Sequence, residues 1–289
     1  MIITTANFSI QRPMEPDHFF QRTRRMAEYA RSRDADFLLF PEYFSLAWLL
    51  AEGGQFRERL LAAEDLEPRF VEEMRRAATE FRIAIIAGTI PHVEATPQGK
   101  ELRNRSWICL PGKEPLYQDK VNMTRFESED WKVSGGAPEL RVFTHQGVRC
   151  AIAICYDVEF PAYCAAAAEA KVDILFVPSC TDDVHGYWRV RHCAEARAVE
   201  NQCYVVLSSI VEGDRRYANE IGAHYGKAAV ITPCDVGFPE QGALAETKAN
   251  VEEVLEARIE LRALEELRRC GTVLNLRDSS GLKRVSWRE

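Results

Sequence analysis

Gly147-Val-Arg-Cys-Ala-Ile-Ala-Ile-Cys-Tyr-Asp-Val-Glu-Phe-Pro161 is the stretch on which the reading of this chain turns. Val148, Cys150, Ile152 and Ile154 line one side of a strand, while Ala151 and Ala153 leave room on the other for a covering layer. A run with both faces apolar is a buried strand. It ends at Cys155, where Tyr156-Asp157 breaks the pattern, and Phe160-Pro161 opens a helix through Ala170. A thiol at such a strand-to-helix corner faces outward with backbone N–H groups beside it, which suits a nucleophile whose substrate develops an oxyanion. The competing reading is a small core residue, the usual fate of a buried free cysteine.

Working outward, the same kind of segment recurs on both sides. Ile2–Ile10, Asp36–Phe40, Ile83–Ile90, Val172–Ser179, Gln202–Ile210 and Ala223–Pro233 read as strands, most of them buried. Asp17–Ser32, Leu66–Phe81, Tyr187–Asn201 and Glu260–Arg269 carry helical patterns, with Asn201 able to close the third. Asn104–Leu110 and Glu114–Gln118 read as a hairpin around Pro111-Gly112-Lys113, and Val251–Ile259 as an exposed strand. Strands and helices in alternation define an α/β protein. No repeat, low-complexity tract or linker divides the chain, so a single domain is expected over residues 1–270, followed by a tail over 271–289 with no strong pattern. That tail either straps a neighbouring subunit or is disordered.

Composition narrows the function. With 289 residues, 46% hydrophobic and 28% charged, the chain can bury a sizeable core. A net charge of -7 argues against a nucleic-acid or anionic-membrane partner, since both want a basic face. Nine cysteines, an odd number without a C-x-x-C pair, fit a reducing compartment better than a disulfide framework. Nothing at Met1-Ile-Ile-Thr resembles a signal peptide, and the apolar run Ala162–Ala168 is too short to span a bilayer, so a soluble cytoplasmic protein is expected.

Three residues stand just past buried strands: Glu42 after Phe40-Pro41, Lys120 after Gln118-Asp119, and Cys155 before Tyr156-Asp157. Singly, the acid reads as a solvated or helix-starting carboxylate and the lysine as a surface cation. Together, a base, a cation and a thiol at one sheet edge are what thiol-dependent acyl transfer needs.

The ordered set F-P-E at 40–42, D-K-V-N-M-T-R-F-E at 119–127, A-I-C-Y-D-V-E-F-P at 153–161 and A-R-A-V-E-N at 196–201 resembles the carbon–nitrogen hydrolase family, the nitrilase superfamily. The likeness runs from Ile2 to about Ile259. It implies a four-layer α-β-β-α sandwich whose subunits pair helix layer to helix layer, hence a homodimer or higher homo-oligomer. It also implies a catalytic Glu42–Lys120–Cys155 set, with a second glutamate steadying the lysine at Glu127, Glu129 being the weaker choice. Arg197 and Glu200 would be buried polar partners near the site, as structural supports. Two departures stand out: Ala162 replaces the usual glutamate after F-P, with Glu159 the substitute for a lost salt bridge, and the late G-x-S element is Gly226-Lys227-Ala228, without the hydroxyl.

The expected chemistry is hydrolysis of a small linear amide, because C-Y-D resembles amidase branches more than nitrilases, where C-W is usual. Cys155 attacks, Lys120 and the Tyr156 backbone N–H hold the oxyanion, and Glu42 shuttles the proton, with no metal and no organic cofactor. N-carbamoyl compounds and nitriles are the alternatives, as are acyl transfer to an amine and an idle scaffold protein. Asp182, Asp183, His185, Tyr187 and Trp188 follow a strand that ends near the site and are candidates to shape the pocket, His185 at its mouth. Cys180, His185, His192 and Cys193 cluster in sequence, but His192 and Cys193 are neighbours on a helix and point apart, against a zinc site. A Cys–His hydrolase lacks a recognisable histidine partner motif.

Overall fold

The computed structural model describes residues 1–10, 14–49, 56–97, 99–211 and 223–279. Its first half runs β1 (Ile2–Ser9), α1 (Pro16–Ser32), β2 (Phe37–Leu39), α2 (Leu46–Leu49), α3 (Phe56–Leu61), α4 (Ala63–Phe81), β3 (Ala84–Ile86), β4 (Ile90–Thr96), β5 (Gly99–Cys109), β6 (Leu116–Asp119) and α5 (Arg125–Glu129). The second runs β7 (Phe143–His145), β8 (Val148–Ile152), a 3-10 turn (Cys155–Glu159), α6 (Pro161–Glu169), β9 (Ile174–Ser179), α7 (Val184–Glu200), β10 (Tyr204–Val211), β11 (Ala229–Ile231), β12 (Ala243–Glu246), β13 (Val254–Arg258), α8 (Leu261–Cys270) and α9 (Asn275–Asp278).

Hydrogen bonding joins the strands into one mixed sheet, with the path β4-β5-β3-β2-β1-β10-β9-β8-β7. β1 is the seam. Its residues Ile3–Thr5 pair with β2 and Ile2–Ala6 with β13, whereas Asn7–Ser9 pair with β10. The sheet therefore has two halves that curl face to face over a shared core, where the Phe37 and Phe176 rings lie 5.3 Å apart. Period-two alternation assigns the faces: Phe37, Leu39, Ala84 and Ile86 enter that core, while Leu38 and Ile85 pack outward with Phe19, Phe70 and Met74 of α1 and α4. On the other half, Ala167 of α6 and Val190, Ala194 and Ala198 of α7 complete the outer layer. The α-β-β-α sandwich expected from the sequence is the observed architecture.

Three element readings change. Ile83–Ile90 is two strands, because the chain turns at Gly88 (φ +49°) and β4 leaves to form a long antiparallel ladder with β5 that its mixed polar residues did not announce. Of Ala223–Pro233 only Ala229–Ile231 is strand; Gly226 instead lies flat against β10, where an added Cβ would sit 2.3 Å from Ser209 Cβ. The third helix begins at Val184, not Tyr187, because Asp183 caps it by accepting from Gly186 N at 2.7 Å. The tail folds back on its own chain through Gln202 and Val273 as far as residue 279; residues 280–289 lie outside the described ones.

Gly88 bears on the site directly, because an added Cβ would fall 2.1 Å from the carbonyl oxygen of Pro41, next to Glu42, and 2.7 Å from the Phe44 ring. Gly88→Ala is expected to destabilise the fold by about 2–3 kcal/mol, from overpacking together with its left-handed backbone, and to shift the Glu42 corner. Chemical denaturation of parent and variant measures the first effect, and catalytic rate the second.

Candidate active site

β1, β2, β8, β9 and β10 are mutually parallel, so the C-terminal ends of β2, β8 and β9 open on one side of the sandwich. Glu42 follows β2, Cys155 follows β8 and Cys180 follows β9. Lys120 reaches the same place from β6, its N–H donating to Asn104 O at 2.9 Å as the ladder with β5 runs out. Glu127 comes from α5, where Thr124 caps the helix and the two side chains form a reciprocal capping box. All five residues line one crevice of about 550 Å³.

Lys120 is almost fully buried, and its Nζ donates to Glu42 Oε1 at 2.8 Å and Glu127 Oε2 at 2.5 Å. Glu127 also accepts from the Tyr43 hydroxyl at 2.8 Å and from Thr124 N and Oγ1 at 3.0 and 2.9 Å. Glu42 accepts from Cys180 N at 3.0 Å through its other oxygen. One amide spans the two acids, with Asn104 Nδ2 donating to Glu42 Oε1 at 2.8 Å and Glu127 Oε1 at 3.2 Å. The Cys155 residue is 3% exposed, faces the crevice, and has its Sγ 3.8 Å from Cys180 O. The corners that carry this chemistry bend sharply: Tyr43 has φ +55° and Cys155 φ +46°, both left-handed.

Burial and charge set the proton positions. Burial pushes Glu42 up to about 7, against the pull of the Lys120 ammonium. Glu127 is held below the ordinary range: burial opposes this, but the Lys120 charge and its many donors outweigh it. Burial likewise opposes the Lys120 ammonium, and the two carboxylates win, so it stays charged. Burial, then the Glu42 charge, pushes the Cys155 thiol well up, so the resting sulfur carries its proton beside a carboxylate.

Behind the site, Asp157 accepts from Val121 N, Asn122 N and Asn122 Nδ2 at 3.2, 2.8 and 3.0 Å, tying the segment after Lys120 to the Cys155 turn. Arg197 supports that turn from below, Nε donating to Val158 O at 3.1 Å. Its partner Glu200, at 2.6 Å, is exposed and not buried as expected, because it lies on the outer face of α7. Glu159 faces Arg189 at 3.8 Å, an ion pair between the turn and α7 where Ala162 offers none.

Asp182 and Asp183 line the crevice. His185 and Trp188 do not, which corrects the pocket expected from the sequence: with α7 starting at Val184, Gly186, Arg189 and Val190 turn inward. His185 (84% exposed) and Trp188 turn out, and Trp188 stacks on His192 instead. Tyr187 is buried against Tyr225. Glu129 is exposed and pairs with Arg125, away from Lys120. Cys180 Sγ meets His224 Nδ1 at 3.7 Å, and among the described residues no group of His, Cys, Asp and Glu side chains is arranged to hold a metal ion. Sequence reasoning missed Tyr43, Asn104, Thr124 and Asp157 as parts of the site; only Thr124 had a readable signal, the T-x-x-E of a capping box.

Fold and crevice together define an α-β-β-α protein whose strand ends gather a buried carboxylate, ammonium and thiol. The sequence profile of the carbon–nitrogen hydrolase family matches residues 4–269, and the chain belongs to that family. The probable hydrolase YhcX of Bacillus subtilis is 33% identical over 278 residues, 93% of this chain but 52% of that protein, so the chain spans about half its length. Omega-amidase NIT3 of Saccharomyces cerevisiae is 26% identical over 259 residues, 86% of this chain and 83% of that one. Among solved structures, XC1258 from Xanthomonas campestris, a CN-hydrolase superfamily protein, shares the fold with a TM-score of 0.77, 22% identity and 99% coverage of both chains.

Proposed function

We propose that the protein hydrolyses the carbon–nitrogen bond of a small linear amide, releasing ammonia and a carboxylic acid through a thioester on Cys155. The observation that carries this reading is the meeting of Glu42, Lys120 and Cys155 in one crevice; the amidase relative supports it. Glu42 takes the thiol proton as the sulfur bonds to the carbonyl carbon, and the carbonyl electron pair moves onto oxygen. Two of the three Lys120 N–H groups go to the carboxylates, which leaves the third for that oxyanion, together with the Tyr156 N–H at the start of its turn. Collapse breaks the carbon–nitrogen bond, and the Glu42 proton leaves on ammonia. Water then adds to the thioester, giving a proton to Glu42, and the carbon–sulfur bond breaks as the thiolate recovers it. Glu127, ionised throughout, holds the ammonium in place. The same reading has two copies pairing through the α6–α7 layer, where Ala162, Ala165, Ala166 and Trp188 are exposed.

Ammonia release from a panel of linear amides, N-carbamoyl compounds and nitriles tests the proposal. Amides are expected to give the highest kcat/KM; preference for either other class would move the substrate assignment, and release from none would sink it. Added amine acceptors that divert the product would point to acyl transfer. The pH dependence has a definite sign. Glu42 must be ionised to accept the proton, and burial raises it to about 7, so kcat/KM is expected to fall about tenfold per unit as pH drops below that value.

A further inference from the structure

Asn104 touches Lys120, Glu42 and Glu127, and the mechanism leaves it unused. It sits in β5, wholly buried. Its backbone carbonyl accepts from Lys120 N at 2.9 Å, and its side-chain nitrogen divides its two hydrogens between Glu42 at 2.8 Å and Glu127 at 3.2 Å. Its side-chain oxygen, also buried, has no hydrogen-bond partner. A buried carbonyl left unpaired is a penalty that natural structures usually avoid. It is explained here by the other end of the amide: turning the group over would pair the oxygen no better and aim it at two carboxylates.

We propose that Asn104 is a positioning residue, whose one amide nitrogen clamps the Glu42 and Glu127 carboxylates side by side around the Lys120 ammonium and holds Glu42 in its proton-accepting form. The physical need is plain. Two carboxylates share one ammonium, so one negative charge has no cation of its own. Like charges at such range disfavour joint ionisation unless dipoles are fixed on both. Glu127 has Tyr43 and Thr124 in addition, whereas among the described residues Glu42 has Lys120, the Cys180 N–H and the Cys155 thiol beside Asn104. Among the charged and titratable groups facing Glu42, Lys120 favours its ionised form and Glu127 opposes it, while Tyr43, Cys155 and Cys180 carry their protons. Removing the amide therefore weakens Glu42 as a base more than it disturbs Glu127.

The inference rests on Glu42 being the base for Cys155, and alkylation of that thiol tests both without a known substrate. Iodoacetamide labelling of Cys155, followed by peptide mass spectrometry across pH 5–9, is expected to rise through a midpoint in the parent and to lose that midpoint in Glu42→Gln. Asn104→Ala is expected to move the midpoint up by about one pH unit and to slow labelling about tenfold on its acid side. Asn104→Ser, which keeps one donor, should lie between, and it carries the test if the alanine variant does not fold. A folded Asn104 variant with the parental midpoint would overturn the positioning role while leaving the base intact. A Glu42→Gln profile identical to the parent would overturn the base and this inference together.

Discussion

Cys155→Ala is expected to reduce amide turnover by at least about 10⁴-fold, to the uncatalysed background, while leaving the fold close to parental stability. The asymmetry follows from what the sulfur touches. Its Sγ faces the crevice and makes weak hydrogen bonds, to Cys180 O at 3.8 Å and to Glu42, and alanine keeps the Cβ, so its loss removes a single sulfur from the packing. Alanine also tolerates the φ of +46° as well as cysteine does. The covalent route, by contrast, loses its nucleophile: the second thiol of the crevice, Cys180, has its Sγ against His224 Nδ1 at 3.7 Å. Ammonia release and thermal melting, measured on the same preparation, check the two halves. Turnover above about 1% of parent would assign the nucleophile elsewhere, since loss of a true nucleophile removes far more than a hundredfold.

Lys120→Met is expected to damage stability and activity together. Removing one partner from a buried ionic cluster leaves its counter-charges uncompensated, at about 3–5 kcal/mol. Here two carboxylates are left, Glu42 and Glu127. Without the ammonium both would be raised, so the folded variant would hold protons that its unfolded chain releases. The variant's deficit should therefore shrink as pH falls from 8 toward 5 and grow as it rises. In the parent only Glu42 of the two is raised, to about 7, while Glu127 is held low, and the ammonium, raised above the ordinary lysine value, contributes across the whole neutral range. Urea denaturation at pH 5, 6.5 and 8 measures the trend. A flat difference between parent and variant would mean that the two acids do not feel the lysine. Turnover should drop by about 10³-fold as the oxyanion loses its charged donor.

What the sequence could disclose was governed by what each residue's surroundings demand locally. Lys120 follows the partly exposed Leu116–Asp119 and was legible only through the ordered motifs around it. Cys155 and Glu42 were legible because each ends an apolar run, and a polar group at the tip of a buried strand has few structural reasons to be there. The two facing halves were legible in outline for the same reason. β4 was not, because its outer ladder with β5 leaves several of its residues partly exposed. Asn104 looked like an ordinary first residue of a strand: its significance lies in contacts with residues 62 positions before and 23 after it, which no local pattern encodes. The error at His185 and Trp188 came from placing the helix start three residues late. With the helix running from Val184, Gly186, Arg189 and Val190 share the face that lines the crevice, and His185 and Trp188 fall one residue off it.

The left-handed corner at Cys155 also limits which sequences evolution can reach from here. A β-branched side chain at a φ of +46° is a steric outlier, so threonine is closed at this position even though it carries a usable hydroxyl. Serine remains open, one base change away from either cysteine codon. A lineage drifting toward an oxygen nucleophile would have to pass through serine, and descendants bearing threonine, valine or isoleucine at 155 should be found only where the corner itself has been rebuilt.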